Sequence, residues 1–596
     1  MPPRAEIPVQ YRWDTYSVFP SDEAWEEAFR RAVADIPAVG EFAGRLAEGP
    51  AVLADCLERY ESTIRRVGHL YIYASSFHNV DTADQAASAR NDRARGLFAG
   101  VVSRGAYIEP EMLAIGFPTL RQWIAEEPRL SHYGHYVDEL ERRQAHVRSA
   151  EIEELLGAVS DPFRTATSAH GILADADLTF APARGADGQE REIAQGNIDA
   201  LLMDADREVR RTAWESYADA HLATRNTMAT IMATGVKQRV FTARARRYET
   251  ALEASLDANN IPVAVYHNVV DTFRANLHVW HKYWRIRRRA LGYDALHVYD
   301  IKAPLSEAKP RVSLDEAVEH VAAGLQPLGK EYVDTVRRGV LEERWVDFLP
   351  NKGKRAGAFS SGMPGTLPFI LMSFTNDLES VSTLAHELGH SMHSYLAWRT
   401  QPFVYADYSI FAAEVPSNLS QALVRRHLLE THEDPEFQIA VIEEAMSNFH
   451  RYFFLMPTLA RFELEMHTRV ERGEALTAQS LMELMTALFR EGYGDEVAVD
   501  DERVGITWAE FPTHLYLNYY VFQYTTGISA AHALAEPILA GETGALERYL
   551  AFLSAGSSVY PLDGLRAAGV DMTTPAPIEA AFRYLEGLVD RLDGLV

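Results

Sequence analysis

Apolar positions recur with a helical period over most of the chain. Behind Ser21-Asp22-Glu23-Ala24, where a serine can cap and acids suit a first turn, Trp25, Phe29, Val33 and Ile36 mark a buried stripe. Leu53, Cys56, Leu57, Tyr60 and Ile64 mark a second helix that continues past Gly68 through Leu70, Tyr71, Ile72 and Tyr73. Further helices are predicted over 82–103, 118–126, 145–157, 207–248 and 313–342, and from 419 nearly to the end. The pattern breaks in three places. Leu178-Thr179-Phe180 and Glu192-Ile193 flank Asp187-Gly188, a hairpin signal. Residues 299–305 and the Gly-, Ser- and Pro-rich stretch 352–368 are irregular. Phe369 to Phe374 is a short apolar run bounded by Pro and Asn that reads as a strand, with Gly357-Ala358-Phe359-Ser360 as its hairpin partner. The chain is therefore expected to be mainly α, with one small sheet just before the helix that begins near residue 376 and a boundary near 196–206.

Composition narrows the function. With 596 residues, 47% hydrophobic and 24% charged, the chain can bury large cores and is an ordinary globular protein. A formal charge of −26 disfavours nucleic acid and anionic membranes as partners. The single cysteine, Cys56, excludes an internal disulfide. The first residues lack the apolar core of a signal peptide, and the longest uncharged run, 511–535, is too polar to span a lipid bilayer. A cytoplasmic protein is expected. The basic clusters Arg244 to Arg247 and Arg285 to Arg289 read as salt-bridged helix faces.

The chemistry concentrates in Thr383-Leu384-Ala385-His386-Glu387-Leu388-Gly389-His390-Ser391-Met392-His393. Two histidines one turn apart project from one helical face and can converge on a cation, with Glu387 beside that point to take a proton from water. Asn376 and Glu379 suit a capping box, and Val381, Leu384, Ala385, Leu388, Met392, Tyr395 and Leu396 form the apolar stripe. Histidines beside such a stripe are usually satisfied structural groups; the pair spacing and the enclosed glutamate favour a metal. A catalytic zinc site needs a third protein ligand. His393 returns to the same face, but lies roughly 10 Å from His386 along a straight helix, too far to share one ion. Glu414 is the better candidate, a lone carboxylate in an apolar segment where burial without a partner is costly. Asp407 can cap its helix, and Gln401-Pro402 reverses the chain.

The run from His386 to His393, followed by Tyr405-Ala406-Asp407-Tyr408-Ser409 and Ala413-Glu414-Val415-Pro416-Ser417, resembles oligoendopeptidase F, within the wider thimet-oligopeptidase-like zinc peptidases. The resemblance extends from Tyr11-Arg12-Trp13-Asp14 to the C-terminal aromatic segment. It implies a two-lobed helical protein with a deep central channel, divided into an N-terminal helical region over 1–110, a helical region with a hairpin over 111–200, and a catalytic domain over 201–596. It implies one Zn²⁺ per chain on His386, His390 and Glu414, with Glu387 as general base, and oligopeptides as substrates; cobalt or manganese also suits such ligands. By the same resemblance, His514, Tyr520 and Tyr524 are expected to be catalytic as donors to the oxyanion. Tyr516 and Tyr519 are expected to bind substrate, as is the strand Gly357-Ala358-Phe359; the strand 369–374 is expected to pair with an extended peptide. Monomer and homodimer are equally open. Two rival readings are a carboxypeptidase or dipeptidyl carboxypeptidase of similar fold, and a non-catalytic peptide-binding scaffold.

Overall fold

The computed structural model describes residues 1–306 and 308–596. The chain forms two compact units, each made of three segments. One comprises Met1–Ala145, Arg311–Leu428 and Leu534–Val570; the other comprises His146–Pro310, Leu429–Ala533 and Asp571–Val596. Both are built mainly of helices.

In the first unit the helix Asp22–Val39 starts at the expected cap, with Ser21 accepting the Ala24 N–H. Its buried stripe is Trp25, Ala32 and Val39, while Val33 is exposed and Phe29 and Ile36 are half-buried. Two turns carry the chain from Trp25 back to Ala32, and a small residue escapes a pattern drawn from large apolar side chains. The 31-residue helix Pro50–Val80 runs straight through Gly68. Met363 packs where a Cβ at Gly68 would stand, and His69 Nε2 lies 2.9 Å from the Pro364 carbonyl. The irregular stretch 352–368 is thus seated on this helix.

Seven short strands occur among the described residues: β1 (Ala183–Arg184), β2 (Glu190–Arg191), β3 (Leu296–His297), β4 (Val346–Asp347), β5 (Phe359–Ser361), β6 (Phe369–Leu371) and β7 (Val497–Ala498). They make three sheets, where one small sheet and a separate hairpin were expected. In the first unit the order is β4-β6-β5, with β4 parallel and β5 antiparallel to β6, Phe359 opposite Leu371 and Ser361 opposite Phe369. The strand pair read from the pattern is present, but β6 is central and has no open edge. The outer strands are β4 and β5. What the pattern missed is β4, where Asp347 is fully buried and meets Arg4 and the ammonium of Lys354 at 2.8 Å.

The second unit holds the other two sheets. The β1–β2 hairpin turns at Asp187-Gly188 as expected, Gly188 taking the left-handed conformation, but its strands lie nearer the turn than the flanking apolar runs. The β3–β7 pair is parallel and only two residues deep, too short for any periodicity. Helix Leu277–Ala290 buries Trp280 and Trp284. The basic clusters are paired: Arg285 with Glu496 (2.9 Å), Arg289 with Asp593 (2.7 Å) and Arg246 with Glu153 (2.9 Å). Arg287 is buried, donating to the Tyr283 hydroxyl and the Ala303 carbonyl and pairing with Glu443 at 3.6 Å. No described helix is long and apolar enough to cross a membrane.

Candidate metal centre

The motif lies on the helix Leu378–Thr400 of the first unit. Its cap is Asp377, whose carboxylate accepts the Ser380 N–H at 2.8 Å, and not Asn376 as the spacing to Glu379 suggested. Asn376 sits in the left-handed region at φ +61° and gives its carbonyl to the Val312 N–H, so the chain turns one residue before the helix begins. Such a cap contributes about 1 kcal/mol. Val381, Leu384, Ala385, Leu388 and Met392 are buried, and the helix packs against Ala545–Ser554, β5 and β6.

Glu414 stands on the helix Ile410–Thr431. Asp407, three residues before that helix, accepts the Tyr408 N–H instead of capping the first turn. Gly389 lets the two helices close: a Cβ there would fall 2.6 Å from Ser417 Cα and against the Pro416 carbonyl. The motif's glycine is therefore a packing requirement of the site.

The approach brings three donors together. His386 Nε2 and His390 Nε2 lie 3.1 Å apart, and Glu414 Oε2 lies 3.5 and 4.0 Å from them. Tetrahedral coordination with bonds near 2.05 Å sets ligand atoms about 3.3 Å apart, so these edges fit one small cation. Among the described residues this is the one group of three or more His, Cys, Asp or Glu side chains able to hold a metal. The surroundings set the protonation states. His386 Nδ1 meets Gln421 Oε1 at 3.0 Å, and Gln421 Nε2 donates to Ser382 Oγ at 2.8 Å, fixing the amide so that Nδ1 carries the proton and Nε2 the lone pair. Burial, then the nearby His386, pushes His390 down to about 4, leaving it neutral at neutral pH. Ser417 Oγ donates to Glu414 Oε2.

Glu387 is 5% exposed. Burial raises its pKa to about 7, with Glu414 adding to the rise and His386 and the Ser360 backbone of β5 opposing it. Its Oε2 has no hydrogen-bond partner among the described residues. His393 stays outside the group: it is buried and stacked on Tyr408 at 3.6 Å.

The other expected residues belong to two places. Gly357 is exposed at φ +86°, and Ala358 and Phe359 lead into β5. His514 and the tyrosines lie in the second unit, His514 and Tyr516 on the short helix Pro512–Tyr516, Tyr524 on the helix Phe522–Leu539, and Tyr519 and Tyr520 in the turn between. The Tyr520 and Tyr524 hydroxyls are 2.8 Å apart, Tyr524 stacks on Tyr452, and His514 lies 6.1 Å from the Tyr524 ring. Burial, with Arg451 nearby, pushes His514 down to about 4, so it is a neutral donor. Tyr519 is 1% exposed, packed on Tyr266 and His467, and so offers no face to a peptide. The Tyr516 hydroxyl bonds His170 Nδ1 at 3.3 Å, and its ring fills the space where Gly235 lacks a Cβ.

Comparison with known proteins adds descent to this geometry. The model for peptidase family M3 matches residues 200–584, and the model named oligopeptidase F matches 111–180. The chain belongs to peptidase family M3. As an M3 peptidase of the oligoendopeptidase F kind, it is a metalloendopeptidase. It is 39% identical to oligopeptidase PepF of Bacillus subtilis over all of this chain and 89% of that protein. It is 35% identical to group B oligopeptidase PepB of Streptococcus agalactiae, over 100% and 98%. Among solved structures, oligoendopeptidase-F from Enterococcus faecium aligns with TM-score 0.75 and 32% identity, over 96% of this chain and 99% of that one. A chain from Chlamydophila abortus aligns with TM-score 0.90 and 32% identity over the whole of both.

Three groups around the M3 motif were not read from the pattern. Gln421 lies seven residues after Glu414, two turns along the same helix face, and that spacing was a usable signal. Ser360 reaches Glu387 through its backbone, which carries no signal in residue type. Gly389 was visible, but its role depends on a helix that only folding brings near.

Proposed function

We propose that this chain is a zinc-dependent endopeptidase that hydrolyses internal peptide bonds of oligopeptides, with Glu387 as general base. The observation that carries the reading is the convergence of His386, His390 and Glu414 donors within 4.8 Å, beside a buried carboxyl with one unpartnered oxygen. Zinc held by these three groups would polarise the scissile carbonyl and acidify the attacking water. Glu387 takes the proton from that water as its oxygen attacks the carbonyl carbon, and then passes it to the leaving amine nitrogen. Burial, which raises its pKa, favours its holding the proton between the two transfers. His514 donates to the oxyanion from a neutral ring, with Tyr520 and Tyr524 as the further donors.

The edge strand β5, with Gly357 and Ala358 before it and next to the motif helix, holds the substrate backbone by edge pairing, which reads few side chains. This role moves from β6 to β5, because both edges of β6 are occupied. Short peptides as substrates are supported by the kinship with oligopeptidases PepF and PepB. A cytoplasmic site of action fits a chain whose single cysteine is free and buried.

The test is digestion of a mixed peptide library, C-terminally amidated and free, with and without chelator, read by mass spectrometry. Internal cleavage of amidated peptides that stops on chelation and returns with zinc is expected. Cleavage confined to free C-termini would make the enzyme a carboxypeptidase. Glu387→Gln is expected to keep zinc and lose about 10²–10⁴-fold in kcat; unchanged turnover would remove Glu387 as the base.

A further inference from the structure

In the second unit the chain reverses through a turn over 517–520, closed by the Tyr520 N–H on the Leu517 carbonyl at 3.0 Å. Tyr519 takes the left-handed conformation at φ +48°, unfavourable for an aromatic residue. Side chains from elsewhere hold the peptide groups around it. Arg239 donates to the Leu515 carbonyl at 2.8 Å, and Ser255 donates to the Asn518 carbonyl at 2.8 Å. Glu463, on the helix Met456–Glu471 and fully buried, accepts the Tyr519 N–H through Oε1 at 2.7 Å.

Glu463 is a poor choice for stability alone. A buried carboxyl is costly, and its Oε2 has no hydrogen-bond partner among the described residues. Burial pushes its pKa up to about 8, against the pull of Arg239, so the group is neutral at neutral pH and acts as a plain acceptor. Its bond goes to the strained residue of the reversal, and the two flanks of that reversal carry His514 on one side and Tyr520 and Tyr524 on the other. Unfavourable local features of this kind persist where the surrounding structure uses them.

We infer that Glu463 is a positioning residue for peptide hydrolysis, holding the reversal at Tyr519 so that His514, Tyr520 and Tyr524 keep one arrangement. The inference rests on the proposed role of those three residues at the oxyanion. Glu463 touches no reacting atom. Its requirement is for a hydrogen-bond acceptor at one point, not for a charge. An amide at 463 supplies the same acceptor, whereas a shorter carboxyl or a methyl group does not.

The test uses the full chain loaded with zinc and an internally quenched peptide. Glu463→Gln is expected to keep kcat within about twofold of the parent. Glu463→Ala and Glu463→Asp are expected to lose about tenfold or more in kcat with KM held within about threefold and zinc content unchanged, as for lost transition-state contacts. Folded Glu463→Asp with parental kcat would overturn the inference, as would a Glu463→Gln that falls as far as Glu463→Ala. If the Glu463 variants unfold, Ser255→Ala decides: it removes the adjoining anchor at a half-buried site, and a lowered kcat at constant KM supports the inference while parental kcat overturns it. His514→Ala separates the two levels. Parental activity in His514→Ala removes the oxyanion assignment itself; a large loss there beside none in Glu463→Asp removes only the role of Glu463.

Discussion

The metal group and the aromatic segment bear on the same proposed reaction and are built in opposite ways. His386, Glu387 and His390 stand on a regular helix, and Glu414 on another, so helical spacing sets most of their geometry. Only one close approach, at Gly389, has to be supplied by packing. His514 and Tyr524 stand on two helices joined by a turn with one backbone bond across it, and Glu463, Arg239, Ser255 and His170, all distant in sequence, hold that junction from outside. Regular elements carry precision in their own hydrogen bonds. An irregular segment has to import it, and each imported contact is a separate point of failure.

This contrast can be broken most directly at Gly389. Gly389→Ala forces the motif helix off the Pro416 and Ser417 backbone, and overpacking of this kind costs about 1–3 kcal/mol. Loss of bound zinc by elemental analysis, with loss of turnover, is expected. A Gly389→Ala enzyme that binds zinc and unfolds like the parent would show that the helices close for another reason. A smaller effect is expected at Gln421, which orients His386 without touching the ion. Gln421→Leu should weaken zinc binding by about 10–100-fold in a competition assay, while the unfolding temperature of the chelated protein changes little. Equal zinc affinity in the two proteins would leave His386 oriented by its helix alone.

The smallest effect sharpens the other side of the comparison. Glu463 is raised to about 8 in the fold, against about 4.5 when unfolded, facing Arg239, His467, Tyr519 and Tyr266. Between these values the folded protein keeps a proton that the unfolded chain has lost. Stability contributed by this group therefore falls as pH rises from about 4.5 to about 8, by up to about 1.4 kcal/mol per pH unit. His467 is held down to about 3 by burial and contributes the opposite slope below its unfolded pKa. The slope difference between the parent and Glu463→Gln isolates the glutamate. Urea midpoints from pH 5 to 8 should fall more steeply for the parent, and parallel curves would mean that Glu463 ionises freely in the fold.

Much of the molecule was legible in one dimension, because a helix writes its face into sequence every three or four residues. The long helix through Gly68, the motif helix and the demotion of His393 all follow from that period and from the rise per residue. The same logic failed where the decisive residue was small or the contact ran through the backbone. Ala32, not Val33, completes the first buried stripe. Asp377, not Asn376, caps the motif helix, because Asn376 is committed to a left-handed turn and to Val312. Tyr519 was grouped with the substrate-facing tyrosines, since aromatic type does not distinguish a buried ring from an exposed one.

The sequence by itself determined the mainly helical class, the histidine pair with its enclosed glutamate, and the family whose motifs surround them. These are local properties, set by spacing within single elements. Only the tertiary structure decided that β6 is the central strand and β5 an edge, that Gln421 and Ser382 orient His386, and that a buried Glu463 holds the reversal at Tyr519. Each of those depends on groups tens or hundreds of residues apart, or on backbone atoms that every residue shares, and neither leaves a periodic mark on the chain.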